Sequence, residues 1–323
     1  MSLHTPLCDV FDVEYPLLNA PMGGGDAPGE LAAAVSEAGG LGLIGGTSFG
    51  GADWLISQIR RARDLTEHPI GVGLISHLPN AAQLMDVALA EGIRIIAHSF
   101  ADPAPFMPAA RAAGAVVLCQ VRTVEGARRA AAAGVDVVTA QGTEAGGHTG
   151  LVSTLPLVPR VVDAVAPVPV VAAGGIADGR GIAAALMLGA DGVWIGTRFL
   201  ATRECGVSDA YKSRVIAATG DDTVFTDVFD IAAGMPWPSG VSGRALRNRF
   251  VDRWEQREDE LRTWADENRD AYLRDMRTDV DDHAVWAGES ASFVREIESA
   301  GEVVRQLVTE AADVLRTRPP QLS

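Results

Sequence analysis

A closed (β/α)8 barrel with a helical excursion after its eighth strand is the fold this sequence predicts, and three observations carry that expectation. An Ala-rich helix end, a glycine and an apolar strand recur along the first two-thirds of the 323 residues. Two consecutive strands end in glycine turns, in Val170-Val-Ala-Ala-Gly-Gly-Ile-Ala-Asp-Gly179 and Gly189-Ala-Asp-Gly-Val-Trp-Ile-Gly-Thr-Arg-Phe199. After Leu200 the rhythm stops, and most of the tryptophans and a charged stretch follow.

The repeating unit reads Ser36-Glu-Ala-Gly-Gly-Leu-Gly-Leu-Ile44, Leu89-Ala-Glu-Gly-Ile-Arg-Ile-Ile96, Arg111-Ala-Ala-Gly-Ala-Val-Val-Leu118, Ala131-Ala-Ala-Gly-Val-Asp-Val-Val138 and Met187-Leu-Gly-Ala-Asp-Gly-Val-Trp-Ile195. Glycine after a helix tolerates the left-handed conformation that stops it. Continuous apolar strands suit a parallel sheet buried on both faces, and alternation with helices means βα units. Strands are expected near 17–20, 41–44, 70–74, 93–97, 115–119, 135–140, 168–172 and 191–195. Residues 1–200 form the barrel. Residues 201–286 form a helical excursion or cap, with Met235-Pro-Trp-Pro-Ser-Gly240 as a turn-rich loop. Residues 287–323 return to the barrel as an amphipathic helix over about Ser290–Thr317, built on Phe293, Ile297, Val303, Val304, Leu307, Val308, Ala312 and Leu315. The tail from Arg318 is expected to fray.

Composition narrows the function. Net charge is -15 at pH 7, which argues against nucleic acid or an anionic membrane as partner. An anionic ligand then needs a local site. Lys212 is the only lysine and falls after the last barrel strand, so a Schiff-base aldolase is disfavoured. Cys8, Cys119 and Cys205 are isolated, without disulfide or zinc-ligand spacing. No His/Asp/Glu set has metal-ligand spacing, so no metal is expected. No apolar run is long enough to span a bilayer, and no signal-like segment opens the chain. A cytoplasmic protein is the expectation, its oligomeric state open and a homodimer included.

The candidate site lies at the C-terminal ends of the strands, the active face of such barrels. Glycine turns after strands 7 and 8 expose backbone N–H groups to one anion, which makes Gly174, Gly175, Gly196 and Thr197 a candidate phosphate site. Asn19-Ala-Pro-Met-Gly-Gly-Gly25 ends strand 1; its Pro21, Met22 and Gly23 allow a flat ligand to approach the backbone. Gln120 ends strand 5 with a donor and an acceptor for a heterocycle edge. Gln141-Gly-Thr-Glu-Ala-Gly-Gly-His-Thr-Gly150 leaves strand 6 as a long loop of small residues, with His148 as its one imidazole. An imidazole at that face can serve as a base. His98 ends strand 4, and the sequence leaves open whether it faces the site or the helix layer. His4, His68, His77 and His283 lack supporting context, and the pairs Asp221/Asp222 and Asp281/Asp282 read as solvated turns. Gly40-Leu-Gly-Leu-Ile-Gly45 matches a dinucleotide fingerprint, but its middle is itself the strand and no helix opens on its last glycine.

Taken together, these residues resemble the nitronate monooxygenase family, also called 2-nitropropane dioxygenases, which are FMN-dependent TIM barrels. The resemblance runs through Asn19-Ala-Pro-Met22, Gln120-Val121, Gln141-Gly-Thr-Glu-Ala-Gly-Gly-His148, Ala173-Gly-Gly-Ile-Ala-Asp-Gly-Arg180, Gly196-Thr-Arg-Phe-Leu-Ala-Thr202, Asp222-Thr-Val-Phe-Thr226 and Gly243-Arg-Ala-Leu-Arg-Asn248. It implies that residues 1–200 bind FMN. Gly174, Gly175, Gly196 and Thr197 would hold its phosphate. Pro21, Met22, Gly23, Gln120 and Gln141 would border the ring or ribityl chain. Ala145, Gly146 and Gly147 would line its reactive edge. His148 would be the catalytic residue, taking the α-proton of a nitroalkane or orienting its nitronate before oxygen completes conversion to a carbonyl compound and nitrite. Gly73 stands where many members carry asparagine, which implies one flavin contact fewer. Ile231–Ser242 is longer and more aromatic than such chains lead one to expect.

Two other readings compete. One is an NAD(P)H-dependent reductase of quinones or enoyl thioesters on the same scaffold. The other is a flavin-free barrel, such as a sugar-phosphate isomerase or a binding protein.

Overall fold

The computed structural model describes residues 3–276 and 279–318. Its strands are β1 (Leu17–Asn19), β2 (Gly42–Gly45), β3 (Ile70–Ile75), β4 (Ile95–Ser99), β5 (Val116–Val121), β6 (Val137–Gln141), β7 (Gly147–Thr149), β8 (Val170–Ala173), β9 (Gly192–Ile195), β10 (Thr223–Thr226) and β11 (Ser242–Leu246). Eight of them form one parallel sheet in the order β1-β9-β8-β6-β5-β4-β3-β2. A parallel bridge between Leu18 and Leu41 closes it into a barrel. Asn19 strengthens that seam, exchanging two side-chain hydrogen bonds of 2.8 Å with the Leu43 backbone.

Strand alternation sorts the core into two layers. Leu18, Leu43, Ile95, Ala97, Leu118, Val137, Val171, Ala173 and Trp194 point inward and fill the barrel, and Leu7 and Phe11 of the helix Pro6–Phe11 join that cluster. The alternate residues, among them Leu17, Ile44, Val72, Ile96, Val117 and Val138, pack outward under the helices. Filling the interior makes the barrel a packed core rather than a pore, so ligand space is confined to the ends.

The chain after Leu200 departs from the expectation in two ways. The excursion is largely helical, with the helices Asp209–Ala217, Val228–Ala233, Arg249–Trp254 and Glu258–Asp275. It also carries β10 and β11, which pair antiparallel with each other, and β11 pairs antiparallel with β7 from the barrel. It has a separate aromatic core of Phe229, Phe250, Trp254 and Tyr272, with Trp264 and Trp286 against it. The closing helix starts later than read, at Ala300, because Ser299 and Glu302 form a reciprocal capping box there. Phe293 and Ile297 precede it and are exposed at 43% and 40%. The helix Ala300–Thr317 lies against the helices Gly179–Met187 and Gly29–Glu37. Most of the tail lies outside the described residues.

The Gly-Thr-Arg-Phe motif splits in two. Arg198 turns away from the cavity, is buried, and forms an ion pair with Glu298 ahead of the closing helix. Arg198→Met keeps the bulk but leaves Glu298 unpaired, at an expected cost of about 2 kcal/mol. Thermal unfolding should show the loss, and adding Glu298→Gln should recover part of it.

Candidate active site

A cavity of about 330 Å³ opens at the C-terminal ends of the barrel strands, between the barrel and the excursion. Pro21, Met22, Gly23, Gln120, Gln141, Ala145, Gly146, Gly147, His148, Gly174, Gly175, Gly196 and Thr197 all line it. Gly73 does not. A Cβ there would meet Pro21 Cγ at 2.1 Å and Cβ at 2.4 Å, so the Pro21 ring fills the room a side chain would need.

The two glycine turns differ in backbone geometry, Gly196 having φ -106°. Gly174 and Gly175 sit at φ 98° and 75°, a left-handed region open to glycine at little cost. Among the described residues, the N–H groups of Gly175, Ile176, Gly196 and Thr197 donate to no protein acceptor. The Thr197 hydroxyl accepts from Gly288 N at 3.0 Å, which leaves its own hydrogen free to donate. Deeper in the cavity, Thr139 Oγ1 and Gln141 Oε1 are buried without a partner. Buried polar atoms are ordinarily satisfied, so this donor and acceptor set fits a flat heterocycle carrying a phosphate, as a flavin nucleotide does.

Hydrogen bonds tie the turns to the His148 loop. Gly142 N donates to Ala173 O at 2.9 Å. The Thr154 hydroxyl lies 2.8 Å from Glu144 Oε2 and 3.0 Å from the Gly174 carbonyl. Glu144 also accepts from Thr154 N, at the start of the helix Thr154–Val165. At Gly146 the chain crosses the backbone of Ala287 and Gly288 so closely that a Cβ would stand 2.6 Å from both.

His148 itself is in a strand rather than a loop. In β7 it stands opposite Gly243 of β11. Its Nε2 lies 2.9 Å from Asp230 Oδ2, in the helix Val228–Ala233. Trp237 stacks on the imidazole with centroids 3.5 Å apart at 14°, and Trp286 sits 4.8 Å away. Phe100 adds an edge contact at 6.4 Å. Its φ of 67° is left-handed, a conformation that costs a non-glycine residue about 1–3 kcal/mol and often marks a functional site. Asp230, Trp237, Trp286 and Phe100 were all missed from sequence. The signal the sequence offered was the extra length of Ile231–Ser242, which carries Trp237; Asp230 is 82 residues from its partner.

The other histidines and the three cysteines fall outside the cavity lining. His98 faces the helix layer, fully buried, with Nδ1 2.8 Å from Ser76 Oγ and its ring stacked on Phe106. His77 packs 4.6 Å from Trp237, and burial pushes its pKa down. His283 bonds backbone carbonyls of Tyr272 and Asp279. Cys119 and Cys205 are buried thiols pushed up to about 12, too protonated to react readily with an oxidant.

Fold and site together define a flavin-dependent oxidoreductase built on a (β/α)8 barrel. Residues 4–86 and 76–310 match the nitronate monooxygenase family, and the chain belongs to that family. It is similar to the (3aS,4S,5R,7aS)-5-hydroxy-7a-methyl-1-oxo-octahydro-1H-indene-4-carboxyl-CoA dehydrogenase of Mycobacterium tuberculosis, 39% identical over 79% of this chain and 69% of that one. With the enzyme of the same name from Rhodococcus jostii it is 38% identical, over 73% of this chain and 65% of that one. Among solved structures, FabK from Thermotoga maritima superposes with a TM-score of 0.89 at 34% identity, covering 98% of this chain and 99% of the other. Nitroalkane oxidase from Streptomyces ansochromogenes follows with 0.80 at 32%, covering 97% and 99%. Among the described residues no helix is long and apolar enough to cross a membrane.

Burial holds the His98 pKa down at about 4, against 6.5 for a free imidazole. Between those values the unfolded chain takes up a proton that the native state refuses, so stability falls as pH drops through that window. Denaturation midpoints should report about 2 kcal/mol lost to this group between about pH 7 and about pH 5. In His98→Asn, that part of the pH dependence should disappear.

Proposed function

We propose that this protein oxidises alkyl nitronates, and the nitroalkanes that form them, with FMN and molecular oxygen, giving a carbonyl compound and nitrite. One observation carries the reading: a single cavity holds unpartnered N–H groups on two glycine turns and an imidazole held by a carboxylate. The likeness to a nitroalkane oxidase over nearly the whole chain supports it.

The residues divide the work. The N–H groups of Gly175, Ile176, Gly196 and Thr197 would bind the phosphate. Gln141 and Thr139 offer their unpartnered oxygens to the polar edge of the ring, and Met22 packs beside it. When bound, the flavin supplies the redox chemistry between nitronate and oxygen. His148 receives the α-proton of a neutral nitroalkane or orients the anion already formed. Trp237, Trp286 and Phe100 exclude water around the imidazole, which strengthens its electrostatic contacts.

A second reading is favoured by the relatives named as carboxyl-CoA dehydrogenases: electron exchange with a CoA thioester and a nicotinamide cofactor. Aerobic turnover of a nitronate without NAD(P)H separates the two.

Heat-released flavin should have the mass of FMN; FAD or no flavin would overturn the cofactor assignment. Gly175→Val fails twice, because φ is left-handed and the added bulk meets the phosphate. That variant should purify with little flavin, and full occupancy would move the phosphate elsewhere.

His148→Asn should lower turnover of a neutral nitroalkane by about 10²- to 10⁴-fold, the usual contribution of a general base. Flavin content should be unchanged and turnover of the pre-formed nitronate should fall less. Oxygen uptake with both substrate forms makes the comparison. Equal losses would reassign His148 to binding, and no loss would remove it from the chemistry.

A further inference from the structure

Asp230 uses both of its carboxylate oxygens on ring donors. Oδ2 meets His148 Nε2 at 2.9 Å, and Oδ1 accepts from Trp237 Nε1 at 3.0 Å. Trp237 in turn covers one face of the same imidazole at 3.5 Å. The three side chains form a closed unit, with His148 and Asp230 only 10% and 12% exposed. Trp237 belongs to Met235-Pro-Trp-Pro-Ser-Gly240, the turn-rich loop within Ile231–Ser242.

An ionised carboxylate can only accept hydrogen bonds, so the ring nitrogen facing Asp230 carries a proton. Among the described residues the one side-chain hydrogen bond of His148 is through Nε2, and none joins Nδ1. It is therefore the nitrogen left with a lone pair for the cavity. A bland alternative exists: Asp230 is a plain stabilising contact of the excursion. That alternative does not require the histidine tautomer to matter for the reaction.

We propose that Asp230 is the positioning residue of His148: it fixes the Nε2–H tautomer, presents Nδ1 as the base, and joins the histidine to the 235–240 segment through Trp237. The proposal rests on the reading of His148 as proton acceptor. In the transfer, the substrate C–H bond breaks and its electron pair moves onto the nitro group, giving the nitronate. The proton goes to Nδ1. The imidazolium so formed keeps its Nε2–H on Asp230, whose charge offsets the new positive charge in a site where water screens little. The same carboxylate holds Trp237 over the ring, so the roof and the base are set together.

The test uses flavin-loaded, full-length protein with ¹⁵N-labelled histidine. The nitrogen shifts of His148 should show Nε2 protonated and Nδ1 bare, a result that needs no variant. In Asp230→Asn the amide can turn its NH2 to the ring, so His148 should switch to Nδ1–H. Nitroalkane turnover should then fall by about 10²- to 10⁴-fold, as when a catalytic histidine is held in the wrong tautomer, with flavin content retained. Trp237→Phe keeps the stack and loses the Oδ1 hydrogen bond; it should keep the tautomer and raise KM more than it lowers kcat. Nδ1 protonated in the wild type overturns the proposal. So does an Asp230→Asn protein whose tautomer or nitroalkane turnover is unchanged. If His148→Asn leaves nitroalkane turnover intact, the base reading itself fails, while the nitrogen shifts still decide which tautomer Asp230 imposes.

Discussion

The pairing of β7 with β11 is the constraint on which the site depends. Three residues of a barrel loop, Gly147–Thr149, become an edge of the excursion's sheet, opposite Ser242, Gly243 and Arg244. A loop of small residues would otherwise leave its imbedded imidazole free to wander. Backbone hydrogen bonding to β11 sets its direction, and the strand alternation then sets which way the imidazole points. Gly243 allows the arrangement, because a Cβ there would stand 2.2 Å from Trp286. The aromatic wall beside His148 therefore follows from one strand pairing and one missing side chain.

The other half of the site is made differently. A protein of net charge -15 offers an anion no general attraction, and its only lysine lies elsewhere. In the function proposed above, backbone N–H groups would supply the local positive potential instead. They are held by the turn conformations of Gly174 and Gly175, and those turns are stapled to the His148 loop through Thr154 and Glu144. Anion site and imidazole are thus parts of one hydrogen-bonded assembly.

Legibility from sequence follows how local each interaction is. The eight barrel strands could be read because each is a continuous apolar run announced by a helix stop. The glycine turns could be read because their conformation is written in the residues themselves. β10 and β11 could not: each is a short run, and β11 completes its pairing only with β7, far back along the chain. The same holds for Asp230, which looks like any solvated acid until the fold brings it to His148. His98 was undecidable because one residue of register sends a side chain to the opposite face. The glycine at position 73 reads as a lost contact in sequence and as space for the Pro21 ring in three dimensions.

The excursion's separate aromatic core has a consequence for the cavity. Phe229, Phe250, Trp254 and Tyr272 pack among themselves and apart from the barrel's two layers. Phe229 and Tyr272 also line the cavity, so a change in that small core is felt at the site as well as within the excursion. Rewriting the later part of the chain therefore reshapes one wall of the cavity while the barrel strands and their glycine turns keep their places.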